Sequence, residues 1–166
     1  MGKLDKVRVG VLSDSHGDAR ALERALTRMR SEGGVDALCF LGDCVRDVAI
    51  IAPIIAAWEK PPALHVVRGN NDILSEYPAQ LCVQAGGKTL LLVHGHLQRV
   101  RTHRLQLLLC AQEAGADVAL FGHTHQSECG YERGILLLNP GACSGRSPTC
   151  AVLSIAAGEM RPEIWD

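Results

Sequence analysis

Seven side chains able to bind a divalent cation recur along the 166-residue chain, each just after an apolar run: Asp14 and His16, Asp43, Asn70, His94, and His123 with His125. Carboxylate, amide and imidazole donors together suit borderline transition metals. Three oxygen donors with four imidazoles are too many ligands for one ion and about right for two ions sharing a bridge. In Asp14-Ser15-His16 a period of two on an extended backbone points both side chains at a single cation.

Elements at regular intervals must bring these donors together. Val7 to Leu12 reads as a fully buried strand, followed by Asp18 as N-cap of a helix carrying Ala21, Leu22, Ala25, Leu26 and Met29 at helical spacing. Gly33-Gly34 ends that helix. A second strand, Ala37 to Leu41, runs into Gly42-Asp43, and Asp47 is placed to cap a helix through Ile50 and Ile55 toward Trp58, with Pro53 kinking it or lying in its first turn. Pro61-Pro62 stops the chain before a third strand, Leu64 to Val67, which delivers Gly69-Asn70-Asn71-Asp72. This βαβαβ order implies parallel strands with right-handed crossovers.

Gln80 to Gln84 and Lys88 to Val93 then form a hairpin across Ala85-Gly86-Gly87, ending in His94-Gly95-His96. A helix through Leu105, Leu108 and Leu109 ends near Gly115, and Val118 to Phe121 is a buried strand leading to Gly122-His123-Thr124-His125. Strands at Ser127 to Tyr131, Ile135 to Leu138, Thr149 to Ser154 and Met160 to Trp165 complete the chain. The expected fold is two mixed sheets packed face to face with helices outside, a four-layer α/β/β/α sandwich in one domain over 1–166. The carboxyl ends of parallel strands, where ligands bind in open α/β sheets, would gather all seven donors.

Composition narrows the partners. A formal charge of -1 provides no basic field for long nucleic acid or an anionic membrane surface. Seven cysteines without a C-x-x-C pair argue for buried thiols in a reducing compartment rather than a disulfide framework. Residues Met1 to Lys6 carry charge but no apolar leader core, and no apolar stretch approaches the ~18 residues that span a bilayer. A cytoplasmic soluble protein is expected, with homo-oligomerisation left open.

Asp14-x-His16, Gly42-Asp43, Gly69-Asn70-x-Asp72, His94-Gly95-His96 and Gly122-His123-Thr124-His125 resemble, in order, the motifs of calcineurin-like metallophosphoesterases, most closely their compact phosphodiesterase branch. The resemblance covers about Val7 to Gly141. It implies that Asp14, His16 and His125 hold one metal, that Asn70, His94 and His123 hold the other, and that Asp43 bridges them. Two divalent ions per chain follow, with Mn²⁺ favoured and Fe, Zn²⁺ or Ni²⁺ as alternatives. The implied activity is phosphoester hydrolysis, a diester before a monoester, by hydroxide bridging the metals and without a covalent intermediate. Asp43, Asn70 and His96 are the residues closest to that chemistry. The same family contains retromer's metallophosphoesterase-like subunit, so a non-catalytic scaffold that binds protein partners is the rival.

Where many members place a histidine after the motif asparagine, this chain has Asn71, and an amide cannot act as a general acid. Protonation of the leaving group then falls to water or His96. Asp72 would orient Asn70 or a histidine, or serve as a turn residue. Arg99, Arg101 and Arg104 would meet a substrate phosphate or form a solvated helix face. Asn139-Pro140-Gly141 resembles the family's Asn-Pro-Gly-Ser loop, with Ala142 in place of serine.

Overall fold

Alternation along the central strands sorts the side chains into three apolar layers. In β1 (Val7–Leu12), Val9 and Val11 face one way and Leu12 the other. Val9 and Val11 meet Leu90, Leu92, Val118, Leu120, Leu136 and Leu138, a core lying between two sheets. Leu12, with Leu38, Phe40 and Val66, packs instead on Leu22, Leu26 and Met29 of α1 (Ala19–Ser31) and on Ile51 and Ile55 of α2 (Val48–Ala56). Leu91, Val93, Ala119, Phe121 and Leu137 face Leu107, Leu108 and Ala111 of α3 (Leu105–Glu113). Helices outside, sheets inside: the α/β/β/α order follows from those three contacts.

The computed structural model describes residues 6–166, so the charged chain start, apart from Lys6, lies outside the described residues. The remaining strands are β2 (Ala37–Phe40), β3 (Ala63–Val66), β4 (Gln80–Ala85), β5 (Lys88–Val93), β6 (Val118–Leu120), β7 (Ser127–Glu132), β8 (Ile135–Pro140), β9 (Cys150–Ala156) and β10 (Glu159–Trp165). One sheet has the order β10-β9-β1-β2-β3 and the other β4-β5-β6-β8-β7. Strands β1, β2 and β3 are parallel, as are β5, β6 and β8; antiparallel strands cover the edges of both triplets except at β3. Among the described residues no helix is long and apolar enough to cross a membrane.

Two local expectations need correction. Asp47 precedes α2, but its side chain makes no cap bond; its Oδ2 instead accepts Ser15 Oγ at 2.5 Å and the Gly17 N–H at 2.9 Å. A 3₁₀ turn, Val45–Asp47, starts the helix, and Pro53 lies in its interior rather than its first turn. The cysteines are not uniformly buried: Cys39, Cys143 and Cys150 are, whereas Cys82 and Cys129 are exposed. The exposed pair lies on the edge strands β4 and β7, where Gln80, Gln84, Ser127 and Tyr131 on either side of them are exposed as well. Asp18 does cap α1, accepting the Ala21 N–H at 3.0 Å.

Candidate metal centre

Register brings the donors to one end of the sandwich. Leu12 pairs with Phe40, and Phe40 with Val66, so the first parallel triplet ends level; Leu92, Leu120 and Leu138 do the same in the second. Asp14, Asp43 and Asn70 follow the first set of ends, and His94 and His123 the second. Ladder bonds continue into these loops, from Asp14 N to Gly42 O at 3.0 Å and from Gly122 N to His94 O at 2.9 Å. The loops are therefore extensions of the sheets, not free connections.

The local backbone differs from the expected extension. Asp14, His16, Asp43, His123 and His125 all have positive φ, between 45° and 69°. Left-handed backbone at non-glycine residues costs about 1–3 kcal/mol each and persists where the surroundings over-determine it. Asp14 and His16 thus converge from a turn beyond β1, not from alternate positions of a strand. Glycines make room: a Cβ on Gly69 would collide with the Asp43 carboxylate, and one on Gly122 with Ser13 Oγ and Asp14 Oδ2.

Asp14, His16, Asp43 and His125 each offer a donor atom, and these atoms lie within 4.8 Å of one another. His125 Nε2 is 3.2 Å from Asp14 Oδ1 and 3.2 Å from His16 Nε2. Asp14 Oδ1 is buried and accepts no hydrogen bond, while Oδ2 is held by Ser13 Oγ at 2.5 Å and the His123 N–H at 3.1 Å. One oxygen is tied down and the other is left facing imidazoles. An unpartnered buried carboxylate oxygen is costly in an apolar setting, and a cation removes that cost.

The other predicted donors stand beside this group. His94 Nδ1 donates to Leu41 O at 2.8 Å, so in the neutral ring Nε2 would carry the lone pair, 3.1 Å from Asn70 Oδ1 and 3.5 Å from Asp43 Oδ1. Three acceptor atoms facing one another repel unless a cation lies among them. The His123 ring is 5.1 Å from that of His94, and its buried Nδ1 has no partner. Burial, His94 and the Arg101 guanidinium push the His123 pKa down to about 4, so its ring is neutral, the state a metal ligand needs. His96 also has a buried, unpartnered Nδ1, and burial followed by His94 lowers its pKa. The donor set and its orphaned atoms fit divalent metal.

Supporting residues hold Asp43 and the histidine turn. The Asp72 carboxylate accepts from the N–H groups of Gly69 at 2.7 Å and of Asp43, Cys44 and Val45, each at 2.9 Å. It therefore clasps two loops by their main chain and does not orient Asn70 or a histidine side chain. Burial works to raise its pKa, and the four donors outweigh it, leaving the group below the usual range. Asn71 donates from Nδ2 to Asp43 Oδ2 at 2.8 Å and from its backbone to Oδ1 at 3.0 Å. Asn139, fully buried at the end of β8, donates to Gly122 O at 3.1 Å and Thr124 Oγ1 at 3.0 Å. From the sequence, Asn71 reads as a missing acid and Asn139 as part of a loop resembling the family's; their polar side chains beside the motifs were the signal for these holding roles.

The arginines do not share a helix face. Arg104 precedes α3, pairs with Glu128 through Nε at 2.9 Å, and sits over the Phe121 ring. Arg101 donates to His123 O at 3.1 Å, and Arg99 lies in the same turn region with positive φ. His65 is on β3 and His103 just before α3, and neither belongs to the group of donor atoms within 4.8 Å of one another.

The model of the calcineurin-like phosphoesterase superfamily domain matches residues 7–158. The chain belongs to that superfamily. It is 33% identical over 139 residues to the probable metallophosphoesterase YsnB of Bacillus subtilis (strain 168), covering 82% of this chain and 75% of that one. A conserved uncharacterized protein of Streptococcus pneumoniae TIGR4, a predicted phosphoesterase, superposes with a TM-score of 0.77 at 31% identity, over 96% of this chain and 89% of that one. Two more distant structures share the fold. An archaeal phosphodiesterase has a TM-score of 0.74 at 22% identity over 96% of this chain and 100% of its own. Vacuolar protein sorting 29 of Cryptosporidium parvum has 0.74 at 17% over 96% and 97%.

Proposed function

We propose that the chain is a phosphodiesterase working with two divalent cations, Mn²⁺ before Fe, Zn²⁺ or Ni²⁺. Asp14, His16 and His125 would hold one, Asn70, His94 and His123 the other, and Asp43 both. The observation that carries this reading is the unpartnered, buried Asp14 Oδ1 with His125 Nε2 at 3.2 Å. When bound, the cations supply positive charge for the phosphoryl oxygens and acidify water for in-line attack at phosphorus.

The chain's own residues set the rest. Asn71, its amide bonded to Asp43, has no proton to give a leaving alkoxide. His96, its pKa lowered by burial and by His94, is mostly unprotonated near neutral pH and so seldom carries a proton to give. Esters with good leaving groups should therefore turn over first. The substrate is small, with long nucleic acid disfavoured by the formal charge of -1, and the expected setting is the cytoplasm.

The test is hydrolysis of bis(p-nitrophenyl) phosphate and p-nitrophenyl phosphate by chelator-free protein supplied with Mn²⁺. Diester turnover above monoester turnover, abolished by Asp43→Ala, supports the reading; metal-independent turnover contradicts it. Inert protein would put the scaffold reading first, which the exposed Ile73 and Leu74 favour.

A further inference from the structure

An open cleft of about 1270 Å³ adjoins the donor group. His16 and Asn71 are among its lining residues, the first a predicted metal donor and the second bonded to Asp43. The segment from Ile73 to Pro78 lines it too, as do Val45 and Arg46. Ile73 and Leu74 are 86% and 98% exposed, the least covered large apolar side chains among the described residues, with Tyr77 at 37%.

These side chains are presented by a loop fixed at both ends. At its start Asp72 grips the main chain of residues 43 to 45, and the Ser75 N–H donates to Asp72 O at 3.0 Å. At its end Arg68 N donates to Pro78 O at 2.9 Å and Arg68 Nη1 to Tyr77 O at 3.2 Å. Both ends of the segment that carries Ile73 and Leu74 are thereby tied to neighbouring loops. An apolar surface held rigidly next to a polar centre binds a ligand that is apolar at one end and anionic at the other.

Resting on the proposed function, we infer that this loop is the specificity subsite. It receives one organic arm of the phosphodiester, and the arm it selects is flat and apolar, an aryl group or nucleobase rather than a compact alkyl or glycerol group. Tyr77 offers a ring for such an arm, and Arg46 a guanidinium for the anionic phosphate end. The loop touches no reacting atom, so it acts on binding.

The test compares diphenyl with dimethyl phosphate, titrated calorimetrically into the Mn²⁺-loaded protein and into Ile73→Ser/Leu74→Ser. Both positions are exposed, so the variant keeps its fold. Wild type should bind the diphenyl ester about tenfold more tightly than the dimethyl ester, and the variant should lose that preference. For bis(p-nitrophenyl) phosphate the variant should raise KM with kcat within about twofold. Equal affinity for the two esters in wild type overturns the subsite, as does a variant that lowers kcat alone. A wild-type dimer that the variant dissociates also overturns it, assigning the surface to a second copy. Wild type that prefers the diphenyl ester yet hydrolyses no ester refutes the phosphodiesterase reading and leaves the subsite standing.

Discussion

Asn71 closes on Asp43 with two donors, its amide to Oδ2 at 2.8 Å and its backbone N–H to Oδ1 at 3.0 Å. In this chain the residue after Asn70 thus orients the carboxylate predicted to bridge the metals. Groups that hydrogen-bond a metal ligand commonly change affinity by about 10–100-fold when removed. Asn71→Ala keeps the backbone bond and loses the amide, so Mn²⁺ affinity should fall by about tenfold. Calorimetric titration of metal into wild type and variant checks this, and equal affinities would show that the amide does not position Asp43.

Asp72 should be a larger structural loss. Its Oδ2 accepts from Gly69 and Asp43, and its Oδ1 from Cys44 and Val45. Asp72→Asn sets an NH₂ against one pair of N–H donors, and with each charge-assisted bond worth about 1.5–3 kcal/mol, a loss of about 3 kcal/mol is predicted. Urea unfolding at neutral pH measures it.

The same carboxylate gives a pH dependence. Its folded pKa is depressed, so its contribution is fully present above the unfolded value of 3.8 and is lost as pH falls through the lower folded pKa. Wild type minus Asp72→Asn stability should be constant from pH 7 to about 5 and shrink below about pH 4. A difference that already shrinks between pH 7 and 6 would assign the effect to another group.

His123 predicts a separate trend in metal-free protein. Its folded pKa of about 4 lies below its unfolded value of 6.5, so the unfolded chain takes up the proton first as pH falls. Stability should decline between pH 6.5 and about 4, and His123→Gln should flatten that slope. Thermal unfolding in chelator across this range reads the difference; parallel slopes would contradict it.

Much of this was legible in the chain because strands and ligands alternate in a fixed order. The buried runs at Val9, Leu38, Leu91 and Ala119 identified the parallel strands, and the polar residues just beyond them marked their ends. Long-range clasping was not legible. Asp72 binds main-chain groups of residues 43 to 45, and a backbone N–H leaves no trace in side-chain identity. Asn139 likewise lies at the end of a sixth parallel strand, and its reach to Gly122 depends on β8 pairing with β6. The left-handed backbone at Asp14 and His16 was hidden because non-glycine residues rarely adopt it, and the enrichment of Asp and His there is too weak to outweigh a strand reading. The exposed thiols Cys82 and Cys129 were misjudged because edge position is set by strand order.

The most direct test of the account is metal stoichiometry, measured by elemental analysis after Mn²⁺ loading and desalting, on wild type and on Asp14→Ala, His94→Ala and Asp43→Ala. Two ions per wild-type chain, one in Asp14→Ala and in His94→Ala, and fewer than one in Asp43→Ala are predicted. One ion in wild type that survives His94→Ala would contradict the paired centre, and no ion in wild type would contradict a metal centre altogether.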